Sequence, residues 1–467
     1  MGNANIQDLT AGKPLKVLSI YAIPMLISMF FQQAYNLVDS WIAGNYIDEV
    51  ALGAVGTCYP ITVFMIAIAS GLSLGTSIFC SQAYGAKEYG NVRRAVSSSL
   101  AAYLPLAVLL SVIGIALLPQ ILQWLSVPGE AWDAALHYLR IYMAGFSFQF
   151  LYNIVNGVLT GLGNSKTPLF YLVISSVCNI VLDCLFVAFF HAGVAGLALA
   201  TILSQLLSAV LTSITVFGVC RRMRWRQPSS EKFSEEKTLS QKPSQKSTPI
   251  CSAQIMQEIL RLGIPSMIQH LLMSLGQLSL QNVINSYGVV VMAGYSVAFR
   301  INGLVINSLM ALSNALSGFI AQNKGAKEYG RIREGLKVSI IIAYIFSAAV
   351  IVVLLTFGPE ILAFFLKDSG HVTEVIDAGM GFIKVVSPFY LLVCLKIVSD
   401  GALRGISAMK AFMFATMSDV IVRVLCGQLF SDLWGLSGVW AVWPAAWLVG
   451  TGLSVECYIQ MHKRNLQ

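Results

Sequence analysis

The chain has 467 residues, of which 56% are hydrophobic and only 11% charged, and its mean hydropathy is +0.72. A water-soluble domain carries about 25% charged residues, so water is excluded as the main solvent. The net charge of +8 is a matter of membrane topology, argued below, and not a nucleic-acid surface. Long apolar stretches recur with almost no charge, Ala51 to Cys80 and Val338 to Phe357 among them. Each reaches the roughly 20 residues that a helix needs to cross hydrocarbon. Lipid offers no hydrogen-bonding partner, so a spanning backbone must be helical or a closed barrel, and continuous apolarity without period-two alternation selects helices.

In chain order the predicted spans are 14–44, 51–83, 92–119, 131–161, 168–190, 194–220, 256–286, 290–323, 332–357, 372–404, 409–431 and 436–462. The fold class is thus an all-α polytopic membrane protein with twelve transmembrane helices. The first apolar run is too long for a signal-peptide core and is expected to stay as an anchor. The nine cysteines, an odd number without a CxxC pair, are expected to be small core residues rather than disulfides or metal ligands.

Basic residues orient the spans. Lys13, Lys16, Lys87, Arg93, Arg94, Lys166, the run Arg221 to Arg226, Lys324 to Lys337, Arg404, Lys410, Lys463 and Arg464 all fall on one side, and only Lys367 breaks the pattern. Positive loops stay in the cytoplasm. Both termini are therefore expected there, with the protein crossing the cytoplasmic membrane many times.

The chain also repeats itself. GAKEYG occurs at Gly85 to Gly90 and again at Gly325 to Gly330. Pro119-Gln-Ile-Leu is echoed by Pro359-Glu-Ile-Leu, and Gly157-Val-Leu-Thr-Gly161 by Gly401-Ala-Leu-Arg-Gly405. Gly193 and Gly196 match Gly435 and Gly438, and Pro24 matches Pro265. Offsets of 240 to 244 spread along the chain mean two homologous halves of six helices. Six is even, so both halves enter from the same side and the repeats are parallel. The domains are then an N-terminal lobe over 1–220, a cytoplasmic linker over 221–255, and a C-terminal lobe over 256–467. GAKEYG is expected to be a solvated turn after the second helix of each half, with a glycine ending one helix. The linker's polar stretch, Ser229 to Thr248, has no apolar period and reads as a tether.

Two equal bundles with a central cleft suit a transporter, and no enzyme chemistry competes. The five histidines are scattered, and no Gly-rich loop ends in Lys-Ser or Lys-Thr, so the chain does not hydrolyse nucleotides by itself. No cofactor is expected. Transport then draws on an ion gradient or is passive.

Ionisable groups inside spans carry the most information, because a charge in hydrocarbon costs several kcal/mol unless partnered. Asp39 lies in the first span. Asp183 lies in the fifth, four residues after Asn179 and on the same helical face. Arg140 precedes Asn153 by 13 residues, about 20 Å along the helix axis, too far to serve as a partner. Asn153 and Asn156 share a face of the fourth span, and Thr201 adds a hydroxyl in the sixth. Two carboxylates with amide and hydroxyl oxygens are suited to Na⁺, a hard cation, with Asp39, Asn179 and Asp183 as candidate ligands. Two neighbouring carboxyls are equally suited to exchanging a proton. The plainer alternative is that these groups only satisfy helix contacts. In the second half the positions equivalent to Asn179 and Asp183 are Asp419 and Arg423, which neutralise each other at i and i+4. Lys384, Lys396 and Arg300 also fall in second-half spans. The ion site is expected in the first half alone.

At these residues the chain resembles a known family. Pro24, Gln32, Tyr35, Asn36 and Asp39, followed by ALGAVGTCYPI from Ala51 to Ile61, look like the multidrug and toxic compound extrusion (MATE) transporters, over almost the whole chain. The resemblance implies export of diverse compounds, often cationic and aromatic, in exchange for Na⁺ or H⁺ by alternating access. In the bacterial and archaeal branch it resembles, the cation site matches Asp39, Asn153, Asn156, Asn179, Asp183 and Thr201. It further implies a helix bend at Pro24, with Gln32, Tyr35 and Asn36 facing the substrate cleft. Lipid is the only other partner expected, and the protein is expected to be a monomer. Another branch uses a glutamate on the seventh helix, and Ile264 to Ser286 contains no acid.

Two alternatives remain at this level. Lipid-linked oligosaccharide flippases share the bundle design and need cavity cations for pyrophosphate, which Arg300, Lys384, Lys396 and Arg423 would supply. A receptor or channel without coupled transport is the other.

Overall fold

With no water to bond to, each apolar stretch closes its own backbone hydrogen bonds, and the described residues are helical almost throughout. The computed structural model describes residues 6–47, 49–125, 127, 129–225, 251–365 and 372–465. The Ser229 to Thr248 stretch and Lys367 lie outside them, as does the Asn36 side chain. In order come α1 (Pro14–Tyr46), α2 (Glu49–Gly85), α3 (Tyr89–Trp124), α4 (Gly129–Gly161), α5 (Lys166–Asp183), α6 (Gly193–Trp225), α7 (Ala253–Asn285), α8 (Val289–Gly325), α9 (Tyr329–Phe364), α10 (Val372–Val386), α11 (Tyr390–Gly405) and α12 (Met409–Asn465).

Several of the predicted spans are built differently from a plain helix. The fifth continues past α5 as a π-helical turn, Cys184–Phe189. The tenth is α10 and α11 joined by a 3₁₀ turn, Ser387–Phe389, because Pro388 has no N–H to continue the α ladder. The eleventh and twelfth run together as α12, broken only at Gly435 (φ 60°, ψ −143°). Among the described residues, nine stretches are long and apolar enough to span a membrane, with α12 counted once. α4 and α7 are not among them, since both carry amide and charged side chains along their length. α6 runs on through Trp225 and α7 starts at Ala253 with Ser252 as its cap, so helix extends into both ends of the expected linker.

The two halves repeat each other down to backbone conformation. Gly193 and Gly435 both take positive φ, and so do Lys87 (61°) and Lys327 (62°). The glycine expected to end the helix is therefore not the left-handed residue. Gly85 and Gly325 are the last helical residues, and the lysine two positions on turns the chain. In both copies a backbone bond then closes the turn, Glu88 N–H to Ala83 (2.9 Å) and Glu328 N–H to Asn323 (2.8 Å).

Small residues let helices touch within each lobe, as membrane packing requires. A Cβ on Gly157 of α4 would collide with Ser73 of α2, and one on Gly401 of α11 would collide with Ser313 of α8. The same serines donate across these contacts, Ser73 to the Asn153 carbonyl and Ser313 to that of Ile397. Gly157→Val should cost about 1–3 kcal/mol as an overpacked contact. Thermal unfolding in detergent is the measurement, and an unchanged midpoint would disprove the packing argument.

Two apolar cores result, one per lobe, but the first turns of α1 and α7 are exchanged between them. Val17, Leu18 and Tyr21 belong to the C-terminal core, and Ile259 belongs to the N-terminal one. Gly71 and Gly75 of α2 meet Met267 and Gly263 of α7 backbone to backbone. Tyr21 of α1 packs on Gly318 of α8 and donates its hydroxyl hydrogen to the Thr160 carbonyl (2.5 Å). These contacts all lie in the half of the bundle that carries GAKEYG.

Candidate functional site

α1, α4, α5 and α6 enclose a polar interior within the N-terminal lobe. Polar residues recur at helical spacing on each: Gln32, Tyr35 and Asp39 on α1, and Ser175, Ser176, Asn179 and Asp183 on α5. On α6 the stripe is Thr201, Ser204, Gln205 and Ser208. Spacings of three and four residues put each set on one face. All of these residues except Asp39 and Asp183, with Gln149 and Tyr152 of α4, line a cavity of about 30 Å³. That volume suits roughly two water molecules, or one small ion, and not an organic compound.

Asp39 and Asp183 meet at one end of this interior. Their side chains are close enough for the charge of one to act on the other. Asp183 is fully buried, and neither of its oxygens has a hydrogen-bond partner; Asp39 Oδ1 has none either. Among the described residues neither carboxylate joins an ion pair. Asn179, 2% exposed, likewise leaves both carboxamide atoms without a protein partner. Unpartnered buried polar atoms are rare in folded proteins and call for a specific explanation.

Local structure sets this meeting. The π turn begins directly after Asp183, and such single turns cluster at functional sites. Val187 in that turn packs with Ile42 of α1 and Leu197 of α6, which pins α1 against α5 beside the two acids.

The remaining residues from the sequence reading divide. Asn179, Thr201, Gln32 and Tyr35 share the cavity wall. Thr201 also donates to the Leu197 carbonyl (3.0 Å). Asn153 is engaged toward α2: its oxygen accepts from the Ser70 hydroxyl (3.3 Å) and its nitrogen donates to the Gln149 carbonyl (2.9 Å). Asn156 Oδ1 is buried without a partner. α1 passes Pro24 as unbroken helix, with the Ser28 hydroxyl bonded to the Pro24 carbonyl (2.8 Å). Gln149, Tyr152, Ser175, Ser176, Ser204, Gln205 and Ser208 escaped that reading. The i, i+3, i+4, i+7 polar stripe on α6 was the signal for four of the wall residues.

The equivalent place in the C-terminal lobe contains its own cations. Arg423 pairs with Asp419 (3.1 Å) and lies over the Trp443 ring (4.3 Å), and Lys396 pairs with Asp400 (2.8 Å), which also accepts from Ser454. Arg404, grouped with the loop lysines and arginines by sequence, is instead 1% exposed. It donates to Ser313 (2.9 Å) and stacks over Phe412 (5.5 Å). Arg300 and Lys384 are exposed and line no part of the cavity.

Known proteins resemble this arrangement over its full length. The chain is 28% identical over 442 residues to "Probable multidrug resistance protein YoeA" of Bacillus subtilis, covering 92% of this chain and 90% of that one. It is 25% identical over 427 residues to "Multidrug export protein MepA" of Staphylococcus haemolyticus, covering 91% and 88%. Its fold matches a structure described as the outward-facing conformation of a multidrug resistance MATE family transporter of the MOP superfamily. That match has a TM-score of 0.84 and 24% identity, and covers 99% of this chain and 98% of the other. The sequence model of the MatE family matches residues 24–185 and 265–429, one segment in each lobe. With both lobes matched and twelve spans in two parallel halves, the chain belongs to the MatE family of membrane transporters.

Proposed function

We propose that this transporter exports small organic compounds, cationic or aromatic, in exchange for a small cation held by Asp39 and Asp183. The observation that carries the reading is that these two neighbouring carboxyl groups have buried oxygens with no partner among the described residues. Like charges this close are relieved only by a proton or a cation between them. Asn179 and Thr201 supply further oxygens for Na⁺ on the shared wall, and Asn156 adds another buried acceptor. Asn153 holds α4 to α2 behind them. Export of drugs is supported by the relatives, two of which are named for multidrug resistance and multidrug export.

The cycle runs by alternating access. A cation entering the carboxylate pair draws α1 toward α5, α1 bends at Pro24, and the cleft bordered by Gln32, Tyr35 and Asn36 loses its hold on the drug. The lobes then rock and release the cation on the opposite side. Both termini and both GAKEYG turns face the cytoplasm, across which the substrate arrives, and the working unit is a monomer.

The test is efflux of a fluorescent organic cation from reconstituted vesicles, with Na⁺ and pH gradients imposed separately. One gradient should drive efflux against a concentration difference. Efflux indifferent to both would sink the coupling. Of the four second-half cations that a flippase reading would use, Lys396 and Arg423 are committed to Asp400 and Asp419, which leaves them unavailable to pyrophosphate.

A further inference from the structure

The two GAKEYG turns stand where the lobes meet, and their contacts are reciprocal. From α2, the Gln82 side-chain nitrogen crosses the seam and donates to the Gly405 carbonyl (3.2 Å) and to the Ser407 hydroxyl oxygen (2.6 Å) at the end of α11. From α8, the equivalent Gln322 donates to the Gly161 carbonyl at the end of α4 (3.0 Å). Gln82 and Gln322 are 240 positions apart, Gly161 and Gly405 are 244 apart, so each half makes the contact that the other makes. The backbones repeat it: a Cβ on Gly85 would collide with the Gln322 carbonyl, and a Cβ on Gly325 with that of Gln82. Only glycine permits this approach, which explains why the first residue of the repeated hexapeptide is the same in both copies.

The segment before α1 lies over the same seam. Leu9 is fully buried. Its N–H donates to Gln322 Oε1 (3.2 Å), and its carbonyl accepts from Asn323 and Arg331 (3.2 Å each). On the N-terminal lobe's side, the Gln7 carbonyl abuts Gly163.

We propose that Gln82 and Gln322 form a two-sided clasp that closes the transporter at the GAKEYG end, with residues 7–12 strapped across it. The inference rests on the alternating-access reading, in which this end must open once per cycle. Its chemistry fits that duty. Every bond that Gln82 and Gln322 donate across the seam joins a neutral amide to a carbonyl or hydroxyl oxygen, weaker than a charge-assisted bond and therefore readily broken and remade, while the Arg331 bonds to Leu9 and Gly12 hold the strap to the C-terminal lobe.

Spin labels at positions 88 and 328, exposed residues that flank the seam, report its opening in full-length protein in nanodiscs, with Cys184 and Cys251 replaced by serine. Q82A/Q322A leaves both helix backbones intact and should enlarge the long-distance population roughly tenfold, the effect of losing bonds of this class. Gly85→Ala and Gly325→Ala should enlarge it as well, by wedging the seam. Unchanged distance distributions in both sets of variants would overturn the clasp. The readout needs no substrate or ion gradient. Gradient-independent efflux with a lengthened distribution would sink the coupling reading and leave the clasp standing.

Discussion

Asp183→Asn is expected to abolish ion-driven efflux while the protein still folds. The amide keeps the shape of the carboxyl and removes the charge. A charge-assisted contact is worth about 1.5–3 kcal/mol, so cation affinity should fall roughly 10- to 100-fold. Asp39→Asn should act the same way, because one cation serves both acids. Stability separates this from damage to the fold. In the wild type, Na⁺ at 100 times its dissociation constant would add about 2.7 kcal/mol, read as a Na⁺-dependent rise in the unfolding midpoint. The variants should lose that rise and yet start no lower, since among the described residues neither acid joins an ion pair and neither Asp183 oxygen nor Asp39 Oδ1 has a hydrogen-bond partner to leave orphaned. If protons are the coupling ion, the Na⁺ response is absent throughout and the pH gradient alone fails to drive the variants. Coupled efflux at wild-type rates from either variant would refute the site.

The C-terminal lobe predicts the opposite response. Asp419 and Arg423 are 4% and 6% exposed and bonded to each other, so removing one strands a buried charge. Arg423→Leu should cost about 3–5 kcal/mol, whereas replacing both residues with apolar ones of similar volume should be nearly neutral. A double-mutant cycle on thermal or denaturant unfolding measures the coupling. Single substitutions costing less than about 1 kcal/mol, the worth of an exposed pair, would mean the pair is solvated and the contrast between lobes is false. The contrast has a physical basis. At offset 240 the N-terminal lobe has Asn179 and Asp183 where the C-terminal lobe has Asp419 and Arg423. Among the described residues the acids of one lobe join no ion pair, and the other lobe pairs its acid with a cation on the same helix.

Much of this was legible from sequence because the relevant signals are local. Continuous apolarity specifies a spanning helix whatever surrounds it, and all twelve expected spans begin within a few residues of a helix start or, for the last, of the Gly435 break. The paired charges at Asp419 and Arg423 were readable for the same reason, since i and i+4 are neighbours on any helix. The π turn after Asp183 was not readable, because its bonding depends on how Val187 is packed against α1 and α6 rather than on its own residues.

What the amino-acid order determined alone was the number of helices, their polar faces, the duplication and the two acids without a counter-ion on their own helices. Only the tertiary structure decided what those faces meet. It brought Asp39 to Asp183 across 144 positions, exchanged the first turns of α1 and α7 between cores, and buried Arg404. It also brought the helix ends beside the two solvated turns together at one seam, Gly85 against Gln322 and Gly325 against Gln82. Hydropathy and helical period act over a few turns of one helix, whereas these contacts arise from two homologous halves packing about a common axis, a relation that no single stretch of chain contains.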